Sequence, residues 1–222
     1  PHLVQLFNRF ATYNGSSPFK TPGMMTLIQH LEQEYGTYVS KKGMINIVNS
    51  LYKLGLRQNI KFKFNHLVSE IILENNKAVG VRVNNQIFKS DVVISNMDIV
   101  PTYKSLLKTS FHPEKILQQE RSSSALIFYW GIKKSFKNLE LHNILFSKNY
   151  KEEFESIFKY SSIYKDPTVY INITSKDVIS DAPKGCENWF VMINTPNNSG
   201  QDWDDIVKTV RSNIIKKINK VL

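Results

Sequence analysis

The side chains best suited to chemistry are spread thinly along this chain. Its five histidines, His2, His30, His66, His112 and His142, lie far apart and lack the spacing of a metal-ligand set. Each therefore reads as a surface or structural residue, and no metal centre is expected. Asp202, Asp204 and Asp205 stand together just before an apolar-striped segment, where negative charge meets the positive end of a helix dipole. Capping explains them better than acid catalysis. The one cysteine, Cys186, excludes an internal disulfide and any multi-cysteine metal site. Gly-x-Gly-x-x-Gly, Walker, Gly-x-Ser-x-Gly, His-Glu-x-x-His and Cys-x-x-Cys motifs do not occur. The intrinsic catalytic signal is weak, and no acid or base can be named from it.

The elements that would carry any site are easier to read. Apolar spacing from Leu3 to Tyr13 is helical, and Gly15-Ser16-Ser17-Pro18 breaks it. A second helix is expected from Thr21 as cap and Pro22 in the first turn, with Met24, Leu27, Ile28, Leu31 and Tyr35 on one stripe ending near Gly36. A third comes after Gly43, with Met44, Ile47, Val48 and Leu51 on one face, and stops around Gly55. Short apolar runs separated by Glu74-Asn75-Asn76-Lys77 and Asn84-Asn85 then predict a meander: Leu67–Leu73, Ala78–Val83, Gln86–Lys89 and a buried strand at Val92–Ser95. Asp98 suits the cap of a helix running through Tyr103 and Leu107. Beyond a polar passage from His112 to Ser123, strands are expected at Ser124–Ile132, His142–Phe146, Thr168–Thr174 and Trp189–Asn194, rich in β-branched and aromatic residues. A helix at Tyr150–Lys159 lies among them. A closing helix carries Trp203, Ile206, Val207, Val210, Ile214 and Ile218.

Composition bounds the function classes. At 222 residues, 41% apolar and 12% aromatic, with a mean hydropathy of −0.29, the chain can bury one substantial core or two small ones. Every apolar run is cut well short of the roughly 20 residues a membrane span requires. Lys plus Arg is 29 against 19 for Asp plus Glu, a net charge of +10. These basic residues are scattered and form no arginine-rich stripe with interleaved aromatics, so nucleic acid is not the expected partner. Attraction to an anionic membrane surface is better supported than that, and a solvated surface is the favoured account of the excess.

Three stretches in order resemble one family. Leu3-Val4-Gln5-Leu6-Phe7 through Tyr13-Asn14-Gly15-Ser16-Ser17-Pro18-Phe19, then Glu34-Tyr35-Gly36, resembles the entry of bacterial-type phytoene desaturases into their substrate domain. Tyr38-Val39-Ser40-Lys41-Lys42-Gly43-Met44 resembles their Pro-x-Gly-Gly-Met turn, and the meander closes on Ile94-Ser95-Asn96-Met97-Asp98. Ser122 to Gly131, His142-Asn143-Ile144 and Asn188 to Pro196 keep the family's order through the remainder. The resemblance covers essentially the whole chain. Ser40 stands where the family pattern has Pro, and Lys42 where it has its first Gly. Gly tolerates conformations and close approaches that Lys does not, so this is where a flavin contact would be altered.

That resemblance implies an amine-oxidase-like, FAD-dependent carotenoid desaturase acting on phytoene or a 1-hydroxycarotenoid. The implied fold class is α/β (α+β): a mixed-sheet substrate domain with flanking helices, plus a β-meander piece of an FAD domain. The family's N-terminal Rossmann unit and C-terminal flavin segment are not in the chain. Residues 39–97 would be the inner FAD piece, with 1–38 and 98–222 the substrate domain. Val68, Gly43 and Met44 are the implied FAD contacts. Leu126, Phe128 and Trp130 would line a tunnel for a long apolar polyene, since apolar pockets hold apolar ligands, although aromatic strand residues are more often core. Arg9 and Tyr13 are the nearest polar groups for the substrate's end. The expected location is the cytoplasm, at the inner face of the membrane. By itself the 222-residue segment is expected to be inactive. Rival readings are a flavin-free lipid- or partner-binding relative, and a sister oxidoreductase or isomerase such as a retinol saturase, carotenoid isomerase or amine oxidase, since fold does not fix chemistry.

Overall fold

The computed structural model describes residues 2–108 and 113–222, so His112 lies outside the described residues. The chain divides into two compact units, one formed by 1–51 with 121–222 and the other by 52–120.

The first unit is built on four strands: β4 (Ser124–Ile132), β5 (His142–Leu145), β6 (Val169–Asn172) and β7 (Glu187–Thr195). They pair antiparallel in the order β4-β7-β6-β5. Helix α7 (Trp203–Ile218) lays its stripe of Val210, Ile214 and Ile218 against Val169, Ile171, Trp189, Val191 and Ile193. The Asp202 carboxylate accepts from the Asp205 amide at 3.2 Å and caps this helix, with Lys216 and Lys217 in its last turn complementing the dipole. Helix α6 (Tyr150–Phe158) buries Tyr150, Glu153, Phe154 and Ile157, and Asn149 caps it. Helix α1 (His2–Asn8) runs into a tighter 3₁₀ turn at Arg9–Asn14, whose left-handed Gly15 ends it.

Helix α2 (Thr26–Tyr35) starts later than expected, after a 3₁₀ turn at Gly23–Met25. Thr21 is not its cap, because the Thr21 hydroxyl donates back to the Ser17 carbonyl at 2.8 Å. Helix α3 (Ile45–Arg57) continues through Gly55 rather than stopping there, since the bare Cα of Gly55 is where the Phe62 ring packs. Its expected apolar face remains exposed: Met44, Ile47, Val48 and Leu51 all stay open to solvent.

The second unit holds the meander: β1 (Val68–Glu74), β2 (Lys77–Val83) and β3 (Gln86–Lys89), in that order and antiparallel. Asn75 and Asn76 both adopt left-handed backbone (φ 51° and 61°), as a tight two-residue hairpin turn requires. The buried strand expected at Val92–Ser95 is absent. That segment pairs with no strand among the described residues, and Ile94 is 90% exposed, so an apolar run alone misled. Asp98 does act as a helix cap, its carboxylate accepting from the Val100 amide at 2.9 Å. The helix it caps is short, α4 (Ile99–Pro101) passing into a π-helical turn over Thr102–Leu106, and a further turn, α5, spans Glu114–Leu117.

Candidate functional site

Strand β4 is apolar on both faces, and the register decides what each face does. Leu126, Phe128, Trp130 and Ile132 point to the side packed by α7 and join the core. The alternate residues, Ile127 and Tyr129, lie on the opposite face, where Tyr129 is 79% exposed. Pairing carries that open face across the sheet. Ile127 stands opposite Met192, which stands opposite Tyr170, itself opposite Ile144. One step along, Tyr129 stands opposite Phe190, then Asn172, then His142.

Four rings form a continuous ladder on this face, one from each strand. Tyr129 meets Phe190 edge-on at 5.6 Å between centroids, Phe190 meets Tyr170 edge-on at 6.3 Å, and Tyr170 stacks on His142 at 6.0 Å. Such offset and edge-to-face pairs hold their rings in fixed orientation. With strands about 4.8 Å apart, the ladder spans roughly 14 Å. It is apolar at the β4 and β7 end. At the β6 and β5 end it turns polar, where the Tyr170 hydroxyl and His142 Nδ1 are 2.8 Å apart and Asn172 Nδ2 reaches the same nitrogen at 3.2 Å.

Arg9 and Tyr13 come to the polar end from the 3₁₀ turn. Burial raises the Tyr170 phenol above its ordinary value, with the Tyr13 phenol adding to the shift while Asn172 and Arg9 oppose it. Burial, and then the Glu32 carboxylate that accepts from its hydroxyl at 3.3 Å, raises Tyr13. Arg9 donates to the Thr12 hydroxyl at 2.7 Å. Its guanidinium also opposes the upward shift that burial imposes on Tyr150. Both phenols at the polar end, Tyr13 and Tyr170, thus stay protonated, neutral hydrogen-bonding groups.

The structure therefore brings Arg9 and Tyr13 together with the sheet, and puts Leu126, Phe128 and Trp130 on its covered side. Trp130 also borders a cleft of about 640 Å³ between β4 and the end of α7, shared with Phe136, Trp189 and Ile215. The cations Lys134 and Arg211 line that cleft too, which suits an uncharged polyene less well than the ladder does. Sequence reasoning missed Tyr129, Phe190, Tyr170 and His142 as a set. They lie on separate stretches of sequence, and only strand register unites them.

The two places assigned to FAD by resemblance lie in different compact units. Gly43 has φ 74°, and no atom lies within 4 Å of where its Cβ would be, so a flat ring system could approach this backbone closely. Met44 beside it is 72% exposed. Lys42 does not occupy left-handed backbone, so the turn demands glycine only at 43, where glycine is kept. Val68 is half-buried at the start of β1, with a register irregularity just after it. Gly43 and Met44 thus leave an open backbone surface at the turn. Among the described residues no group of acidic, histidine or cysteine side chains could hold a metal, and no helix is long and apolar enough to cross a membrane.

Comparison with known proteins supplies the family context. No protein-family model matches the chain. It is 57% identical over all its 222 residues to the 1-hydroxycarotenoid 3,4-desaturase of Flavobacterium sp. strain P99-3, covering 46% of that protein. It is 32% identical over 84% of its length to the 4,4'-diapolycopene oxygenase of a Methylomonas species, and 31% identical over 96% to the phytoene desaturase of Fusarium fujikuroi, covering 38% and 42% of those proteins. The chain thus spans less than half the length of these curated relatives. The crystal structure of an oxidoreductase from Methanosarcina mazei shares the fold, with a TM-score of 0.61 over 98% of this chain and 48% of that one at 17% identity.

Proposed function

Because the chain belongs to the carotenoid desaturase family, we propose that it forms part of an FAD-dependent enzyme of carotenoid biosynthesis that desaturates phytoene or a 1-hydroxycarotenoid. The observation that carries this reading is the aromatic ladder of Tyr129, Phe190, Tyr170 and His142 on the open sheet face. A rigid strip of aromatic rings suits a conjugated chain, whose only strong recognition features are shape and polarisable π surface. When bound, the flavin supplies the hydride acceptor for turning a carbon–carbon single bond into a double bond. The chain's own side chains do the rest: Tyr129, Phe190 and Met192 lay out the polyene, and Tyr170, Arg9 and Tyr13 face its end.

In this reading residues 39–97 contribute to the FAD domain, with Gly43, Met44 and Val68 against the cofactor, while 1–38 and 98–222 form the substrate domain. The compact units break at 51/52 and 120/121, close to those limits but not on them. The substrate is membrane-borne, and the net charge of +10 favours an anionic membrane surface, so peripheral attachment at the inner face of the cytoplasmic membrane is part of the proposal. The backbone at Lys42 is ordinary, so the departure from the family pattern there is one of side chain and not of conformation.

The test is to purify the complete protein, record its visible spectrum and incubate it with phytoene and with a 1-hydroxylated carotenoid in a membrane preparation. Flavin absorption together with a product of longer conjugation is expected. A colourless protein that converts neither substrate would refute the reading.

A further inference from the structure

The polar end of the ladder has a hydrogen-bonding direction. The Asn172 amide nitrogen donates to the Leu141 carbonyl at 3.1 Å, which fixes the amide's orientation and leaves Nδ2 facing His142 Nδ1 at 3.2 Å. An amide nitrogen can only donate, so with Nδ1 as the acceptor the ring carries its N–H on Nε2. Nδ1 has a single lone pair, so the closer Tyr170 hydroxyl, at 2.8 Å, is its main donor, and the Asn172 N–H is shared between that nitrogen and the phenol oxygen. Beside the Asn172 N–H, the phenol oxygen keeps one lone pair for a further donor. His142 is exposed on the edge strand β5, so a ligand can reach the group from the open face.

An oriented phenol oxygen that can accept, beside an imidazole with a free N–H, suits a neutral hydroxyl that both donates and accepts. It offers nothing to a hydrocarbon end. We propose that Tyr170, oriented by His142 and Asn172, receives the hydroxyl of a 1-hydroxylated polyene and makes the site prefer that substrate over the unhydroxylated chain. This deepens the proposed function and rests on it. The name of the Flavobacterium relative sets its hydroxyl at C1 and its new double bond at C3–C4, so a group that anchors the hydroxyl also fixes which bond is offered for oxidation. Tyr170 is the specificity residue, and His142 and Asn172 are positioning residues.

The test measures binding of two polyenes of equal length and conjugation, one with and one without the 1-hydroxyl, to the complete protein by tryptophan-fluorescence quenching. One well-formed neutral hydrogen bond corresponds to a preference on the order of tenfold. Wild type should show that preference. Tyr170→Phe, which keeps the ring and removes only the hydroxyl, should bring it near unity, and His142→Leu, at an exposed position, should reduce it in part. A wild type that binds both chains equally, or a Tyr170→Phe protein that keeps the preference, overturns the hydroxyl assignment alone. A wild type that binds neither overturns the polyene reading together with it.

Discussion

Tyr129 and Phe190 face each other across the β4–β7 ladder, their ring centroids 5.6 Å apart at an interplanar angle of 77°, on the side of the sheet that α7 leaves open. Their immediate neighbours Phe128 and Val191, paired one step along the same two strands, are on the covered side. One residue of register thus separates groups that hold the protein together from groups free to touch a ligand.

Stability should follow that parity. Phe128→Ala removes an aromatic ring from the packed side and is expected to cost about 2–3 kcal/mol, somewhat below the range for fully buried rings because Phe128 is half-buried. Ile127→Ala, one residue away on the open face, should cost less than about 1 kcal/mol. Urea unfolding of the two variants separates these values, and a reversed order would place α7 on the wrong face of the sheet.

Two buried carboxylates should respond to pH in opposite senses. Burial pushes Glu187 up, but the Lys176 ammonium at 2.8 Å, the Trp189 indole N–H, the Phe136 amide and the Ser135 hydroxyl together outweigh it and hold the group below its ordinary 4.5. A carboxylate with a lowered folded pKa stabilises above its unfolded value, and that stability is lost as pH falls through the folded one. Glu187→Gln should therefore destabilise at neutral pH by about 3 kcal/mol, because it leaves Lys176 unpaired. In a domain of this size that is a Tm fall of roughly 6–12 °C, and the deficit should shrink in acid.

Glu153 has the reverse sign. Burial raises it by more than the two hydrogen bonds from Thr168 lower it, so stability declines as pH climbs from 4.5 to the raised folded value. Glu153→Gln should leave the Tm unchanged or higher at pH 7 and make it less sensitive to pH above 4.5. Melting curves across that range check both carboxylates.

The turn at Ser40–Gly43 yields a prediction about the cofactor. Gly43 is left-handed and Lys42 is not. Gly43→Ala should cost roughly 1–2 kcal/mol in the turn and lower the flavin content of the purified complete protein. Lys42→Gly, which restores the family's residue, should leave flavin content unchanged. A gain in flavin on Lys42→Gly would show that the lysine side chain, not the backbone, limits the site.

Most of the architecture was legible in the sequence, and the site was not. Strands β4, β5, β6 and β7, helix α6 and the cap at Asp202 come from β-branched runs, helical stripes and capping chemistry, all of which are local. Ser124–Ile132, however, carries apolar residues at both parities, so alternation could not say which set faced the core. That is decided by the α7 stripe some 80 residues downstream. His142 was readable as the start of a strand but not as part of a site, because its partner Tyr170 is 28 residues away and adjacent only through strand pairing. Val92–Ser95 failed for the converse reason: an apolar run marks a surface that avoids water, but not the element that will cover it.

The most direct measurement is polyene affinity in the complete protein with Tyr129→Ala and Phe190→Ala, set against Phe128→Ala, all compared with wild type by fluorescence quenching. Losing an aromatic contact worth about 1.4 kcal/mol weakens binding about tenfold. The ladder variants should each lose roughly that factor with their melting temperatures within a few degrees of wild type, while Phe128→Ala should melt lower and, where folded, bind as wild type does. If Tyr129→Ala and Phe190→Ala bind the polyene unchanged while Phe128→Ala alone loses it, the open aromatic face is not the substrate surface.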